Sequence, residues 1–427
     1  MSLGLGEFKK LLKLAGVGSS SGGGSTTPPG QTVRNIATRC RQNYQTVASV
    51  QAMKSKSQHT NMGDHILAAD GVQIVVGNWY ANNTGEFSGP ATSTEMISIE
   101  YPQGVYKLAT FGGNQSTTCA AGSNVTTDAI KLAIPKGATF WVHRWQTFPS
   151  AVSIPVSANA VTISTFDVAT QYSAAQLAAL TVDPRSFLTG MTASGGTAGG
   201  AWTMYPLAVL GKSSVPSVIG YGDSRMSGRS DAQSTLTTAA DFGYFGMGEV
   251  FRSIGHLLPY TNCGCETDTI QQFNAFPTFR SNLAQYHTHV HFEYGVNDLT
   301  AGRTAAVIQA ALQAGYALFP TKKISQSTIP PVTASTDTWL TLANQTTAGT
   351  NPQRVILNNW IRTKPSPLWA YFEVADAVES ARDSGLWKAP TGSTGIYSPV
   401  TGDGTHETPY GYSLIQLSNA IDPTLFV

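Results

Sequence analysis

The feature that most constrains this chain is a change of rhythm near residue 212. Beyond it, compact apolar runs alternate with helical patterns of roughly 12 to 18 residues. "SVPSVIGYGDS" and "HTHVHFEYGVND" read as strands, and "DFGYFGMGEVFRSIGHLL" and "TAAVIQAALQAGYALF" as helices. "KKISQSTIPPV", "NPQRVILNNWIRTK", "LWAYFEVADAVES" and "TPYGYSLIQLSNAI" continue the pattern. Strands separated by helices cannot pair as hairpins, so crossovers lay them side by side in a parallel sheet with helices on both faces. Residues 212–427 are therefore predicted to form a three-layer α/β/α domain, with functional loops at the carboxyl ends of its strands.

Residues 60–211 read differently. "GVQIVVGNWY", "EMISIEYP", "GVYKLATF" and "DAIKLAIPKGATFWVHRW" are β-branched and aromatic, with Gly, Asn and Pro between them. Ile130, Leu132 and Ile134 alternate, Pro135-Lys136-Gly137 turns, and Phe140, Val142 and Arg144 alternate again, which predicts a hairpin. The expectation is an antiparallel β-sandwich of jelly-roll type. Trp79, Tyr80, Trp141 and Trp145 fall at strand spacing, where aromatic residues are core more often than sugar platforms.

Ahead of these lie two further segments. Within residues 1–17, Leu5, Phe8, Leu12 and Ala15 fall at helical spacing opposite lysines, an amphipathic helix over 3–15 suited to docking on a partner or lying on a membrane surface, with a frayed tail as the equal alternative. Glu7, Lys9, Lys10 and Lys13 interrupt any signal-peptide core. Residues 18–59 open with "GSSSGGGSTTPPGQ", a flexible stretch that cannot bury a core, and are read as linker and connecting segment.

Charge narrows the choice of partner. Only 12% of the 427 residues are charged and the net charge is +1, which gives no electrostatic support to a nucleic-acid partner. No run of 18 apolar residues offers a membrane span. Cys40, Cys119, Cys263 and Cys265 have no metal-ligand spacing and are expected to be free thiols. His287, His289 and His291 share one strand face, but a buried parallel strand leaves no room for an exposed metal, so hydrogen-bonded core histidines are expected and no metal or cofactor is called for. Asn-x-Ser/Thr sequons at Asn82, Asn114, Asn124 and Asn344 are common by chance in a Thr-rich chain.

Three short stretches sit where strand ends should be: Gly222-Asp223-Ser224, Gly295-Val296-Asn297-Asp298 and Asp403-Gly404-Thr405-His406. A serine hydroxyl becomes a useful nucleophile when an imidazole takes its proton. A carboxylate three residues earlier on the same loop can hold that imidazole in one tautomer. An asparagine amide and backbone N–H groups can receive a tetrahedral oxyanion.

With "GDS", "GVND" and "DGTH" in this order, residues 212–427 resemble the SGNH hydrolase superfamily, also called the GDSL esterases and lipases. The resemblance implies ester hydrolysis through an acyl-serine, without a cofactor. It makes Ser224 nucleophile and oxyanion donor, His406 base, Asp403 its orienting partner and Asn297 an oxyanion donor. Two positions depart from the pattern. Arg225 stands where the family often has leucine, which makes it a candidate either for binding an anionic substrate or for shielding the turn. In "YTNCGCETDT" the family's oxyanion glycine should occur; Gly264 is the glycine present, while the best register places Thr267 there.

A β-sandwich beside such a domain, a polar surface poor in charge and a tethered helix resemble phage virion proteins. The expectation is a carbohydrate O-acetylesterase on a phage tail or head appendage, anchored to a virion partner through residues 3–15. A secreted bacterial esterase is the alternative location. A structural or receptor-binding virion protein with an inactive hydrolase domain is the alternative function, and self-association stays open.

Overall fold

A computed structural model describes residues 30–158, 167–190, 194–198, 202–231, 248–390 and 399–426. The amphipathic helix expected at 3–15 lies outside the described residues, as does the linker through residue 29. From Thr32 onward the chain forms one compact unit.

The β-rich part begins earlier than residue 60. Strand β1 (Thr32–Asn35) is followed by β2 (Cys40–Arg41), β3 (Gln45–Thr60), β4 (Gln73–Gly77), β5 (Trp79–Asn82), β6 (Gly85–Ser88) and β7 (Ser93–Glu100). After short strands come β8 (Asn124–Thr126), β9 (Thr139–Ala158), β10 (Val168–Tyr172) and β11 (Ala208–Ser213). Residues 32–59, expected as a connector, thus supply three strands, and the expected boundary falls at the end of β3. The period-2 signal of β3 is hidden because its inward positions include Ser55, Ser57 and His59.

One antiparallel sheet has the order β1-β11-β4-β8, and a second of eight strands is built on β10-β3-β9-β7. Ile74 and Val76 of the first share an apolar cluster with Ile97, Ile99, Phe140 and Val142 of the second, so the sheets pack face to face. Four and eight strands differ from the eight in all of a jelly roll. Within the larger sheet β3 and β9 pair along most of their length, with register shifts that bend the ribbon between Thr147 and Ile154.

The hairpin expected around Pro135-Lys136-Gly137 does not form as a pair. The turn is present, with the Ala138 N–H on the Pro135 carbonyl at 3.1 Å. Its arms diverge: Ile130 and Ile134 bridge to Val72 and Ile66, while Phe140 and Val142 pair with β3 and β7. Both arms alternate because both line the same core. Trp79 and Trp145 are buried.

The parallel sheet adds β12 (Val218–Gly222), β13 (Tyr260–Gly264), β14 (His289–Glu293), β15 (Lys323–Ser327) and β16 (Leu368–Phe372). Its order is β2-β13-β12-β14-β15-β16, all parallel, with β2 contributed from between the sandwich strands β1 and β3. Helices α1 (Ser224–Ser227), α2 (Gly248–Ile254), α3 (Ile270–Ala275), α4 (Thr278–Asn282), α5 (Val296–Thr300), α6 (Ala305–Ala317), α7 (Asn351–Arg362), α8 (Val374–Val378) and α9 (Pro409–Leu417) follow the strands.

Side-chain alternation sorts the sheet between two cores. Ile219 and Tyr221 face one with Ile308, Leu312 and Tyr316 of α6 and Leu357 of α7. Val218 faces the other with Phe251 of α2, Val378 of α8 and Ile415 of α9. Three layers result, as the alternating pattern predicts. The first core also contains Val75, Trp79, Ala81 and Leu207 from the β-rich part. Full burial of such side chains stabilises by about 1.5–3 kcal/mol each.

Candidate functional site

Register aligns the ends of the central strands. Gly222 is opposite both Gly264 and Glu293, so the chain leaves β12, β13 and β14 at one edge of the sheet. In a sheet of this order the crossovers diverge between β12 and β14, which opens a crevice. Asp223 and Ser224 follow β12 there, and Asn297 follows β14.

Asp223 caps α1, its Oδ1 accepting the Arg225 N–H at 3.1 Å, and this turns Ser224 to the mouth of the crevice. The His406 loop arrives from the far side. Gly404, at φ +79°, brings its carbonyl to the Thr333 N–H at 3.0 Å and the Trp387 indole N–H at 3.1 Å. A Cβ there would lie 1.9 Å from the Thr333 carbonyl oxygen, so only glycine fits.

These loops bring three side chains into line. Ser224 Oγ is 2.7 Å from His406 Nε2, and His406 Nδ1 is 2.7 Å from Asp403 Oδ2. An ionised carboxylate only accepts, so Nδ1 carries the ring proton, and Nε2 accepts from the serine hydroxyl. Asp403 Oδ1 also accepts the N–H groups of Thr405 at 2.9 Å and His406 at 2.8 Å. Partial burial opposes its ionisation, but the bonds from the His406 ring and the two N–H groups hold the Asp403 carboxyl well below the usual carboxylate range.

Asn297, half-buried, lies against the serine turn. Its Nδ2 donates to Asp223 Oδ2 and to the Asp268 carbonyl, both at 3.1 Å. Gly264 is not free to donate: its N–H is held by Asn262 Oδ1 at 2.9 Å, and a Cβ would lie 2.4 Å from the Ser227 nitrogen. It lets β13 approach α1. Thr267 has φ +60°, a conformation that favours glycine and costs a β-branched residue on the order of 1–3 kcal/mol. Neither the Ser224 nor the Thr267 N–H is engaged by a backbone carbonyl among the described residues.

Arg225 is fully buried, which does not fit the expected contact with an anionic substrate. Its Nε and Nη2 donate to the Thr405 carbonyl at 3.2 and 2.7 Å, tying the serine helix to the histidine loop. It is also 3.5 Å from Glu407.

Beneath this lies a group of acids of which the motifs singled out only Asp223. Asp223, Glu249, Glu293 and Glu407 are buried around the one guanidinium of Arg225. Glu293 Oε2 accepts the N–H groups of Asp223 at 3.2 Å and Met226 at 3.1 Å. Burial, then the charge of Glu407, pushes Glu249 up to about 8. Burial raises Asp223, Glu293 and Glu407 as well. Their position was legible, since Glu293 ends a strand and Glu407 follows His406, but burial of an acid carries no sequence signal.

Of the three histidines expected on one strand face, His289 and His291 lie in β14 and His287 in the turn just ahead of it, and all three are hydrogen-bonded to their neighbours. His287 lies 3.0 Å from the Leu283 carbonyl and from Thr261 Oγ1, and His291 lies between Ser325 and Ser327. His289 meets Thr288 Oγ1 at 2.8 Å. Burial lowers them to about 3, 3 and 4, respectively. All four cysteines are buried free thiols.

No family model and no curated protein matches the chain. About half of it is similar to several solved structures. One is a member of the lipolytic G-D-S-L family from Veillonella parvula DSM 2008, at 14% identity and TM-score 0.33, covering 49% of this chain and 98% of that one. Another is the aryl esterase of M. smegmatis, at 14% and 0.33, covering 50% and 100%. A third is an acetylxylan esterase from Geobacillus stearothermophilus, at 12% and 0.33, covering 48% and 91%.

Proposed function

We propose that this protein is a serine ester hydrolase acting through Ser224, His406 and Asp403. The observation that carries the reading is the unbroken hydrogen-bonded line from Ser224 Oγ through His406 to Asp403. Ser224 Oγ attacks the acyl carbonyl carbon while its proton passes to His406 Nε2. The carbonyl π pair moves onto oxygen, and its return expels the alcohol, which takes the proton from His406. Water then attacks the acyl-serine by the same route and releases the acid. Asp403 keeps the ring in the required tautomer and stabilises its cationic form.

The oxyanion would be received by the Ser224 N–H, the Thr267 N–H and the Asn297 amide, the last exchanging Asp223 for the substrate oxygen. Gly264 is left out of this set, and Arg225 supports the histidine loop from below.

Within this class the reading is an O-acetyl ester on surface carbohydrate, cleaved by a protein carried on a phage particle. Its support is a β-rich body joined to the site-bearing sheet and a chain only 12% charged. Anchoring through residues 3–15 belongs to the same proposal. Hydrolysis of p-nitrophenyl acetate, with acyl-serine trapped on Ser224 by mass spectrometry, tests the chemistry. Acetate release from acetylated capsule or lipopolysaccharide tests the substrate.

The engaged Asn297 amide and the threonine at 267 favour a second reading, a non-catalytic virion protein that keeps the fold. Absence of turnover by protein of native fold would select it.

A further inference from the structure

Hairpin β5–β6 belongs by sequence to the β-rich part, but its tip grips the loop after β13. Asn83 Nδ2 donates to Thr267 Oγ1 at 2.7 Å, and the Asn83 carbonyl accepts from Gln272 Nε2. Glu86 accepts the Arg280 N–H at 2.9 Å and Nε at 3.2 Å, and also the Phe279 N–H. Arg280, fully buried, passes the link on: its Nη1 donates to Asp268 Oδ2 at 2.6 Å. The Asp268 carbonyl in turn holds the Asn297 amide.

Thr267 is the one residue of this loop in a left-handed conformation, and it carries a β-branched side chain there. A glycine would need no support at this φ, whereas a threonine is held there by its surroundings. Its hydroxyl reaches two partners, the Glu266 carbonyl at 2.7 Å and Asn83. Asn83 is the one that comes from outside the loop.

We propose that Asn83 is a positioning residue for the oxyanion hole, fixing the Thr267 N–H through the threonine hydroxyl, so that the β-rich part completes the site. This rests on the serine-hydrolase reading. Asn83 and Thr267 thereby do together what a glycine does alone.

The test uses steady-state hydrolysis of p-nitrophenyl acetate by full-length protein. Asn83→Ala lowers kcat roughly 3- to 10-fold, the span of one net hydrogen bond, with KM little changed. The loss persists when Asn83→Ala is added to Thr267→Ser, which keeps the hydroxyl. It disappears when added to Thr267→Gly, which needs no support. An equal loss in all three backgrounds would show general damage to the hairpin and overturn the proposal. A rise in KM at unchanged kcat would overturn it too, making Asn83 a substrate contact. Ser224→Ala run in parallel separates the two levels: its continued turnover removes the hydrolase reading, while an inactive Ser224→Ala beside an unaffected Asn83→Ala removes only this inference.

Discussion

Asn297 and Asp223 are joined side chain to side chain, Nδ2 to Oδ2 at 3.1 Å, across the crevice between β12 and β14. The contact fixes the amide beside Asp223, and in the proposed reaction the amide leaves it to receive the oxyanion. Asn297→Ala should therefore lower kcat by roughly 10²–10³-fold, the usual loss for one oxyanion donor, with little change in KM. A raised KM at unchanged kcat would make Asn297 a substrate-binding residue instead.

Ser224→Ala and His406→Ala should each reduce turnover by roughly 10⁴–10⁶-fold while the melting temperature stays near that of the parent. Ser224 makes few packing contacts that alanine would lose. Asp403→Asn should be milder than His406→Ala, since it disturbs orientation and not proton transfer itself. Comparison of kcat/KM across the three variants checks the order.

Arg225→Gln should destabilise by roughly 3–5 kcal/mol, because it leaves buried carboxylates without their cation. It should also slow turnover of neutral and anionic esters in the same proportion, since the guanidinium holds the Thr405 carbonyl and not the substrate. Urea unfolding and a paired-substrate assay check both; a selective loss toward anionic esters would return Arg225 to the substrate.

Glu249 sets a pH dependence. Its carboxyl is raised from an ordinary 4.5 to about 8 by burial, so the folded protein holds a proton that the unfolded chain releases. The stabilising contribution is full below pH 4.5 and lost as pH rises through 8, with a slope of at most about 1.4 kcal/mol per unit. Glu249→Gln should lose less stability than the parent between pH 5 and 8.5, measured by urea titration. Parallel curves would place the proton on another of the buried acids.

The sequence made the line of Ser224, His406 and Asp403 legible because two of its members sit three residues apart on one loop and the third ends an apolar strand. The three-layer body was legible for a similar reason: its strands and helices differ in period. Arg225 was not, since a long cation after a turn serine reads the same whether it points out or in. The hairpin at 130–144 was misread because alternation reports which face of a segment is buried and not what it pairs with. Residues 32–59 were missed because β3 buries serines and a histidine where an apolar pattern was sought.

The apolar cluster that unites Trp79, Ala81 and Leu207 with Tyr221 and Phe273 bears on modularity. Residues 212–427 expressed alone would present that surface to water and would leave β13 with an open edge where β2 pairs with it. Recombination that exchanges the β-rich half for another would have to supply a matching hydrophobic face, an edge strand and a hairpin tip at once. A lineage that adapts this protein to a new target is thus steered toward substitution in exposed loops, with both halves inherited as one piece.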